Sequence, residues 1–424
     1  MPRERALLVG APSKDIEPEV AAEHLEELAR LADTAGAVVV GTLRQRLDAP
    51  HPKYYIGEGK ALELRERVLE TGATLVIFDE QLTPAQGKNL ETLLGTRVMD
   101  RSELILDIFA TRARTAEAKM QVELAQLEYM LPRLRRMWTH LSRIRGGIGL
   151  RGPGETQLET DRRIISRRIR DLRSKLAVVA RQRATQRKAR AKEFRVALVG
   201  YTNAGKSSVL RALSGANVLV EDRLFATLDP ATRAVELDDG VRVLLTDTVG
   251  FIRKLPHHLV ASFRATLEAA LEADLLLHVI DASHPRWEEQ KSVVEEVLAD
   301  LGADDRPTLL LFNKVDRLTH EEEAALRVRV SAIVPQPALF GSTVEPGGMD
   351  ELRERLAEEY RASHPRVRLR IPVVDGEALA AVYREGEVLR REEHDSVIDV
   401  VARLPLPVLG RLQRRAGILV FESP

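Results

Sequence analysis

The stretch VALVGYTNAGKSSVLRALSG, residues Val196–Gly215, joins an apolar run to an amphipathic segment through a glycine-containing turn. Gly200, Gly205, Lys206 and Ser207 follow the phosphate-loop pattern GxxxxGKS, between a predicted strand and a predicted helix as this loop requires. The backbone N–H groups of such a loop, and the positive end of the helix after it, converge on a phosphate group. The stretch therefore predicts an α/β domain that binds a nucleoside phosphate.

The side chains of this loop and of a second motif predict a magnesium site. Lys206 is expected to span the β- and γ-phosphates, while the Ser207 hydroxyl ligates Mg²⁺. DTVGFI, residues Asp247–Ile252, follows the apolar run VRVLLT, so we expect Asp247 to hold Mg²⁺ through water and the Gly250 amide to face the γ-phosphate. A nucleoside triphosphate with Mg²⁺ is thus the expected ligand.

A segment upstream of that motif, LFATLDPATR, contains two threonines that could ligate Mg²⁺ and sense the γ-phosphate. We favour Thr227, and Thr232 is the alternative. Loss of the γ-phosphate would release this segment together with DTVGFI, so the two segments form a predicted nucleotide-dependent switch.

The tetrapeptide NKVD, Asn313–Asp316, follows the apolar run TLLLF and predicts the identity of the base. The Asp316 carboxylate can accept hydrogen bonds from N1–H and the exocyclic amine of guanine, whereas adenine offers an acceptor at N1 and would leave this charge poorly paired. Asn313 can fix the loop and approach the other edge of the base, and the aliphatic stem of Lys314 can lie on the ring. GTP is therefore favoured over ATP.

The composition limits the class of protein. The 424 residues exceed what one hydrophobic core usually serves, and 44% apolar with 30% charged residues is typical of soluble globular proteins. No apolar run reaches membrane-spanning length, and we expect no export signal, since the first ten residues carry charges. The absence of cysteine excludes disulfides, thiolate metal sites and cysteine nucleophiles, and a cytoplasmic location is expected.

Positive charge is concentrated in one part of this neutral chain. Residues 162–192 contain 13 lysines and arginines with one acid, and five arginines lie between residues 133 and 145 without any acid. The glycine-rich stretch GGIGLRGPGETQLETDRR, Gly146–Arg163, lies between these blocks. Such charge suits a polyanion, with counterion release supplying affinity, although a solvated helix face would show the same pattern.

The apolar patterns predict an α/β multidomain fold. Strand–helix alternation predicts an N-terminal parallel-sheet α/β domain over residues 1–115 and a P-loop GTPase domain over residues 195–363. Residues 116–194 predict a long antiparallel helical hairpin with the glycine-rich stretch at its tip, and residues 364–424 a small α+β domain.

The helical hairpin is predicted from apolar residues spaced by three and four. One seam comprises Met120, Leu124, Leu127, Leu131 and Leu134, and the other Ile165, Ile169, Leu172, Leu176 and Val179. Pro132 predicts that the first helix kinks or ends near Leu131.

The motifs GYTNAGKS, FATLDP, DTVGFI and NKVD, combined with the glycine-rich stretch, resemble the HflX family of ribosome-associated, translation-factor-related GTPases. The run Ile105–Leu134 is similar to that family's region before the glycine loop, and the resemblance extends from about Tyr54 to Arg361. It implies a GTP-hydrolysing factor that binds the ribosome, mainly the large subunit and its RNA, and splits stalled or idle ribosomes. We expect a monomer without a membrane span, partly ribosome-associated.

The expected site residues fall into four groups. Catalysis is assigned to Asn203, Lys206, Thr227 and Gly250, and Mg²⁺ to Ser207, Thr227 and Asp247. The nucleotide contacts are Gly200, Tyr201, Thr202, Asn203, Ala204, Gly205, Lys206, Ser207, Ser208, Phe225, Ala226, Thr227, Leu228, Asp229, Asp247, Thr248, Val249, Gly250, Asn313, Lys314, Val315, Asp316, Gly341, Ser342 and Thr343. The RNA contacts are Arg143, Arg145, Gly146, Gly147, Gly149, Arg151, Gly152, Gly154, Arg162 and Arg163.

Two residues near the expected γ-phosphate bear on the rate of hydrolysis. Many GTPases place glutamine directly after the DxxG turn to orient water, but this chain has Phe251, so we expect slow turnover alone and stimulation by the ribosome. Asn203 is similar to the asparagine of GTPases that bind K⁺ beside the phosphates, where the ion stands in for an arginine finger. The alternative is that Asn203 serves only to stabilise the loop.

The chain departs from the family pattern at two places. GST, Gly341–Thr343, stands where the family usually reads Ser-Ala near guanine, although backbone contacts to the base could survive the change. Ser208 replaces the commoner threonine after Ser207, which is a mild change.

Two other functions fit parts of the sequence. A regulatory binding module could use the GTP state to recruit another protein through the N-terminal domain. An RNA-remodelling ATPase could reside in residues 1–194, but this region has no second phosphate loop, because GEGK at Gly57–Lys60 is too short to count.

Overall fold

Within the residues that the structure describes, the apolar runs of the sequence form three β-sheets. The computed structural model describes residues 3–134, 154–188, 193–215, 223–237, 241–254 and 264–422. Their contacts group into two units, the first comprising residues 1–180, 221–229 and 249–267, and the second residues 181–220, 230–248 and 268–424. The first unit holds one sheet and the second holds two.

The first unit contains the predicted N-terminal parallel sheet, with strand order β2-β1-β3-β4. Its strands are β1 Arg5–Gly10, β2 Val38–Arg44, β3 Leu75–Phe78 and β4 Arg97–Asp100, and its helices are α1 Pro18–Thr34, α2 Glu58–Thr71, α3 Pro84–Leu94 and α4 Arg101–Arg112. All of β3 is buried, which explains its unbroken apolar sequence. Thr83 and Gln86 form a capping box that starts α3, and Asp100 caps α4.

The GEGK run forms the start of a helix in this unit. Gly57 lies at the N-cap of α2, and Lys60 forms an ion pair with Glu63 at 2.9 Å within the first turns of the same helix. The run therefore has a local structural role in α2.

The predicted helical hairpin is present in the described residues as α5, Ala116–Met130, packed against α6, Gly154–Lys188. Leu124, Ile169 and Leu172 are buried between the two helices. The margins of the seam are formed by Met120, Leu127, Leu131, Ile165 and Leu176. The spacing of three and four thus identified eight residues of this seam, whereas Leu134 and Val179, which were also predicted, are not among its members.

Pro132 lies where the first helix ends. Helix α5 stops at Met130, and a 3₁₀ turn, Leu131–Arg133, follows it, since proline lacks the N–H that would continue the α-helix. Arg133 was predicted to belong to the exposed basic block, but the structure buries it. Its guanidinium donates to the Leu82 carbonyl oxygen at 2.9 Å and lies 3.7 Å from the centre of the Tyr129 ring. Arg133 therefore supports the fold of the first unit and is not part of a charged surface.

Most of the predicted RNA contacts cannot be placed. Arg143, Arg145, Gly146, Gly147, Gly149, Arg151 and Gly152 lie outside the described residues. Helix α6 begins at Gly154, so the second half of the glycine-rich stretch is helical, and Arg162 and Arg163 are exposed on this helix.

The P-loop sheet lies in the second unit, with strand order β10-β9-β8-β5-β7-β6. Its strands are β5 Phe194–Val199, β6 Ala231–Glu236, β7 Arg242–Asp247, β8 Leu275–Asp281, β9 Thr308–Asn313 and β10 Ala338–Gly341. The helices of this part of the chain are α7 Lys206–Ser214, α8 Arg264–Leu271, α9 Trp287–Leu301, α10 His320–Ile333 and α11 Asp350–Ser363. The predicted strands pair in parallel, whereas β6 was not predicted and runs antiparallel to β7 at the edge.

The small α+β domain after this sheet has a core of its own in the second unit. Its elements are β11 Arg366–Pro372, α12 Gly376–Glu385, β12 Glu387–His394, β13 Val397–Arg403, α13 Leu406–Gln413 and β14 Leu419–Glu422. Neighbouring strands are antiparallel in the order β12-β13-β11-β14. The α+β class was predicted, but β12, α13 and β14 were not. No helix in the described ranges is long and apolar enough to cross a membrane.

The hairpin seam predicts a large effect of a core truncation. Leu172 is 1% exposed between α5 and α6, whereas Ile164 is 59% exposed on the same helix. We expect Leu172→Ala to lower the free energy of unfolding by about 2–5 kcal/mol through lost burial and a cavity. Ile164→Ala is the matched control and should change it by under about 0.5 kcal/mol. Urea unfolding followed by circular dichroism measures both, and equal midpoints for the two variants would refute the packing described.

Candidate nucleotide-binding site

The phosphate loop connects β5 to α7 through backbone that requires glycine at two positions. Gly205 has a φ of 100°, and a Cβ atom there would lie 2.2 Å from Asn313 Nδ2. Gly200 has a φ of 150°, and its Cβ would lie 2.2 Å from the Val279 carbonyl oxygen on the neighbouring strand β8. Close packing within the second unit thus requires the same glycines that the phosphate-loop pattern requires.

Lys206 is held inside the loop by carbonyl oxygens. The residue is 6% exposed, and its Nζ donates hydrogen bonds to Gly200 O at 3.0 Å and Tyr201 O at 2.9 Å. Burial lowers the pKa of Lys206 to about 8, although Asp247 opposes this shift. A phosphate group would be a stronger, charged partner for the same ammonium group.

Two predicted magnesium ligands are adjacent in the second unit. Ser207 Oγ donates to Asp247 Oδ2 at 2.6 Å, and Asp247, the last residue of β7, is fully buried. The hydroxyl of Thr248 donates to Leu198 O at 2.7 Å and fixes the end of β7 beside β5. Hydroxyl and carboxylate oxygens are ligands of the kind that Mg²⁺ prefers, so this pair of side chains fits the ion.

The NKVD loop is bonded directly to the phosphate loop. Asn313 Nδ2 donates to Ala204 O at 3.0 Å, and Lys314 Nζ donates to Asn203 O at 2.7 Å. Asn203 and Lys314 both have left-handed backbone, with φ of 63° and 67°. The structure thus brings together the loops to which the sequence assigned the phosphates and the base.

Asp316 lies beside the GST stretch. Ser342 is buried, and its Oγ donates to Asp316 Oδ1 while accepting a hydrogen bond from the Val344 N–H at 3.2 Å. Gly341 has no space for a side chain, because its Cβ would lie 2.4 Å from the Gly348 carbonyl oxygen. The Ser342 hydroxyl therefore orients the carboxylate that the sequence assigned to guanine.

Asp281 contributes to this site but was not predicted. It ends β8, where its Oδ2 accepts a hydrogen bond from Lys314 Nζ at 2.6 Å and its Oδ1 accepts one from Ser283 Oγ at 2.6 Å. The available signal was an acidic residue directly after a buried strand, in HVIDAS, but aspartate followed by small residues is also common in ordinary turns. Asp281 positions the Lys314 ammonium group.

The segment with the preferred threonine lies in the first unit. Phe225 packs edge-on against Phe109 of α4, with ring centres 4.7 Å apart, and both rings are buried. Asp229 accepts hydrogen bonds from the N–H of Thr115, at 3.3 Å, and from the hydroxyl of the same residue at the start of α5. Thr227 lies between Phe225 and Asp229 in the sequence. Both of these residues were predicted to contact the nucleotide, whereas in the structure they contact Phe109 and Thr115.

The alternative threonine lies in a regular strand of the second unit. Thr232 belongs to β6, and its hydroxyl shares a hydrogen bond of 2.9 Å with the Thr246 hydroxyl on β7. Thr232 belongs to a regular strand at the edge of the sheet. We therefore retain Thr227, which lies on an irregular segment, as the candidate for sensing the γ-phosphate.

Residues 249–254 belong to the first unit, where Arg253 and Lys254 are bonded to buried carboxylates. Lys254 Nζ lies 2.7 Å from Asp79 Oδ2 and 3.3 Å from Glu80 Oε1, and Arg253 Nη2 lies 3.3 Å from Asp79 Oδ1. Asp79 and Glu80 directly follow β3, so these bonds form at the carboxyl end of the N-terminal sheet. Phe251, at the position where many GTPases have glutamine, is buried.

Glu27 and Arg101 are bonded to the same residues. We call the resulting group the switch-anchor cluster: Glu27, Asp79, Glu80, Arg101, Arg253 and Lys254. Arg101 pairs with Glu27 and, through Nη1, with Asp79 Oδ1 at 2.9 Å, while Arg253 Nε lies 3.1 Å from Glu27 Oε1. Burial raises the pKa of Asp79, but the neighbouring cations, Arg101 first, outweigh burial and hold this pKa well below its usual range. Sequence reasoning missed the cluster, because its members lie far apart in the chain and form no motif.

Three family models match the chain. They are described as GTP-binding GTPase N-terminal, GTP-binding GTPase middle region, and 50S ribosome-binding GTPase, and they match residues 22–110, 112–190 and 195–314. Together the matches account for most of the chain.

The chain is also similar, over 74% or more of its length, to curated proteins named GTPase HflX. The protein of Magnetococcus marinus is 45% identical over 99% of this chain and 98% of its own length. The protein of Escherichia coli is 44% identical over 94% of this chain and 93% of its own length, and that of Alkalihalophilus pseudofirmus is 50% identical over 74% and 75%.

The lowered pKa of Lys206 predicts a pH dependence of nucleotide binding. A phosphate group binds the charged ammonium, so above pH 8 the free protein must take up a proton when it binds GDP. We expect GDP affinity to be nearly constant below pH 7.5 and to fall toward roughly tenfold per pH unit above 8. Titrations with a fluorescent GDP analogue between pH 7 and about 9 measure this dependence. The control Lys206→Met should bind weakly with a flat profile over this range, and an equally flat wild-type profile would contradict the prediction.

Proposed function

Because the chain belongs to the HflX family of GTPases, we propose that it is a ribosome-associated factor that binds the large ribosomal subunit and splits stalled or idle ribosomes when it carries GTP. The chain is a GTPase, which hydrolyses GTP to GDP and phosphate. The observation that carries the nucleotide part of the proposal is the bonded arrangement of the phosphate loop, Asp247 and the NKVD loop.

Lys206 binds the β- and γ-phosphates by exchanging the carbonyl oxygens of Gly200 and Tyr201 for phosphate oxygens. This exchange costs little reorganisation, since the ammonium group already lies within the loop. Ser207 and Asp247 are the residues that would hold Mg²⁺, which supplies charge neutralisation at the phosphates when bound. Gly200 and Gly205 leave the loop backbone accessible to the phosphate groups.

Guanine is selected by the Asp316 carboxylate, which accepts hydrogen bonds from N1–H and the exocyclic amine. The Ser342 hydroxyl donates a hydrogen bond to this carboxylate and holds it in place. The serine side chain of the GST stretch therefore orients Asp316. Asn313 holds the loop by its bond to Ala204 O, and Asp281 together with Asn203 O fixes the ammonium end of Lys314. The stem of Lys314 then covers one face of the base.

Thr227 and the Gly250 amide sense the γ-phosphate. Both belong to segments that are anchored in the first unit, through Phe225 and Asp229 in one case and through Arg253 and Lys254 in the other. Loss of the γ-phosphate would release these two segments, as expected for a nucleotide-dependent switch. Intrinsic hydrolysis is slow, because Phe251 is apolar and buried and cannot orient a water molecule.

Ribosomal RNA is the partner of the basic hairpin. Glycines at its tip would let the backbone approach a phosphate chain, and the flanking arginines would neutralise it. We propose four domains, with boundaries at residues 115, 194 and 363. We also propose that nucleotide binding and RNA binding take place in different domains. We further propose that the factor acts as a monomer in the cytoplasm, partly bound to ribosomes.

We expect K⁺ to stimulate hydrolysis through Asn203, in the place of an arginine finger. Turnover in KCl should exceed turnover in NaCl at equal ionic strength by about tenfold or more, since the ion would stabilise charge that develops in the transition state. Steady-state phosphate release measures both rates, with Asn203→Ala as the control that should abolish the difference. Identical wild-type rates in the two salts would exclude the K⁺ site.

The ribosome-splitting function predicts nucleotide-dependent sedimentation. With purified ribosomes, more protein should pellet in a non-hydrolysable GTP analogue than in GDP, and sucrose gradients should show whole ribosomes converted to subunits only with the triphosphate. Pelleting without conversion would refute splitting and favour the recruiting module.

The RNA contact is tested by alanine at Arg143, Arg145 and Arg151, which should weaken pelleting roughly tenfold or more through lost phosphate contacts. The matched control replaces three exposed arginines elsewhere, Arg327, Arg329 and Arg384, and should pellet as the wild type.

A further inference from the structure

The C-terminal domain has one sheet face that its own helices do not cover. Its elements follow the order β-α-β-β-α-β, the ferredoxin-like arrangement, with antiparallel strands in the spatial order β12-β13-β11-β14. Val367, Leu369, Val400 and Ala402 point to the face that packs against α12 and α13. The alternate residues of the same strands point to the opposite face.

Arginines dominate this opposite face. The strand registers place Arg366, Arg368 and Arg370 on β11, Arg403 on β13 and Arg390 on β12 on the same side of the sheet. We call these five residues together with Phe421 the arginine face. Three acids share the surface, Glu387, Asp399 and Glu392, so the side chains carry an excess of positive charge.

Asp399 organises the centre of the arginine face. It is 4% exposed because two guanidinium groups cover it: Arg368 Nη2 donates to Oδ2 at 2.7 Å, and Arg370 donates through Nε to Oδ1 at 2.9 Å and through Nη2 to Oδ2 at 3.0 Å. One carboxylate thus holds two guanidinium groups in fixed positions and leaves one positive charge uncompensated. Both side chains remain accessible, at 48% and 41% exposure.

Two apolar side chains lie beside these guanidinium groups. Phe421 on β14 is opposite Arg368 in the register, and Leu419 is opposite Arg370. Both are on the uncovered side, at 44% and 53% exposure. An exposed aromatic ring next to fixed guanidinium groups provides a stacking surface for a base and cations for the adjoining phosphates.

A cavity continues the arginine face at the end of β13. Arg403 and Glu387, opposite each other in the register, line a cavity of about 390 Å³ together with Tyr360, His364 and Tyr383. The cavity adds aromatic rings at the far side of the sheet from Phe421. The four strands between these two ends span about 14 Å, which suits two or three nucleotides.

We propose that the arginine face binds single-stranded RNA, with a base stacked on Phe421 and phosphates paired with the arginines. A protein partner fits less well, because the centre of a protein interface is depleted in charged residues. Here the ion-paired Asp399, Arg368 and Arg370 occupy the centre, where Val401 is the neighbouring apolar residue, and the exposed apolar side chains Phe421 and Leu419 lie on the edge strand. This site is separate from the nucleotide pocket and the hairpin, and it goes beyond the proposed function.

Fluorescence anisotropy with the full-length, GDP-bound chain and a labelled uridine-rich RNA of about eight nucleotides tests the stacking contact. Phe421→Ala should weaken binding by roughly 5- to 150-fold, the range for loss of one base–aromatic stack. Leu406→Ala removes a comparably exposed apolar side chain from α13 and should leave affinity within about twofold. Equal affinities of the wild type and Phe421→Ala, or no binding by the wild type, would overturn the proposal.

The phosphate contacts are tested by the salt dependence of the same binding. The double variant Arg366→Gln and Arg390→Gln should reduce the slope of log affinity against log salt by roughly 1.4, the value for two contacts to a single strand. The control double variant Arg384→Gln and Arg411→Gln, on the helices of the covered face, should keep the wild-type slope. An unchanged slope in the first variant would contradict the assignment.

Ultraviolet cross-linking locates the RNA even if a variant is destabilised. Trypsin releases residues 416–424, which include Phe421, as one peptide, and mass spectrometry should find this peptide linked to uridine in the wild-type chain. Cross-links confined to residues before 364 would overturn the proposal and assign the RNA affinity to other parts of the chain. Neither assay requires GTP or ribosomes, so a failure here is distinguishable from a failure of the ribosome-splitting function.

Discussion

Two hydrogen bonds between loops, from Asn313 to Ala204 O and from Lys314 to Asn203 O, set the geometry on which the nucleotide site depends. They join the end of β9 to the phosphate loop after β5, across the intervening strand β8. The contact is so close that position 205 accepts only glycine. The spacing between phosphate and base recognition is therefore determined by backbone packing of the second unit, before any ligand contributes.

The phosphate loop, the NKVD loop and the parallel strands could be predicted because their information is local. A buried parallel strand has an unbroken apolar sequence, and a phosphate loop needs glycines and a lysine at fixed spacing between such a strand and a helix. The apolar seam of the helical hairpin could also be predicted, since residues spaced by three and four lie on one side of a helix. Pro132 ended its helix for the reason that its missing N–H predicts.

What could not be predicted depends on partners distant in sequence. Strand β6 has one buried residue, Val235, and among the described strands it pairs with β7 along one edge, so no apolar pattern reveals it. Strand β12 reads as a charged segment because none of its residues is buried and residues on both of its sides are exposed. Arg133 looked like part of a basic surface, but its burial depends on Leu82 and Tyr129. Likewise, nothing near Asp229 indicated that its carboxylate would bind at the start of α5.

The switch-anchor cluster has a consequence for how residues 249–254 can move. Its three carboxylates and three cations balance only while Arg253 and Lys254 are in place. Without them, Arg101 would be the remaining cation of this cluster beside the buried or half-buried carboxylates of Glu27, Asp79 and Glu80, and uncompensated buried charge is costly. If Arg253 and Lys254 moved away only in part, the carboxylates would lose these partners while still shielded from water. Full movement would allow water to hydrate the separated charges. Residues 249–254 are thus expected to occupy two discrete positions, and gradual displacement between these positions is energetically disfavoured.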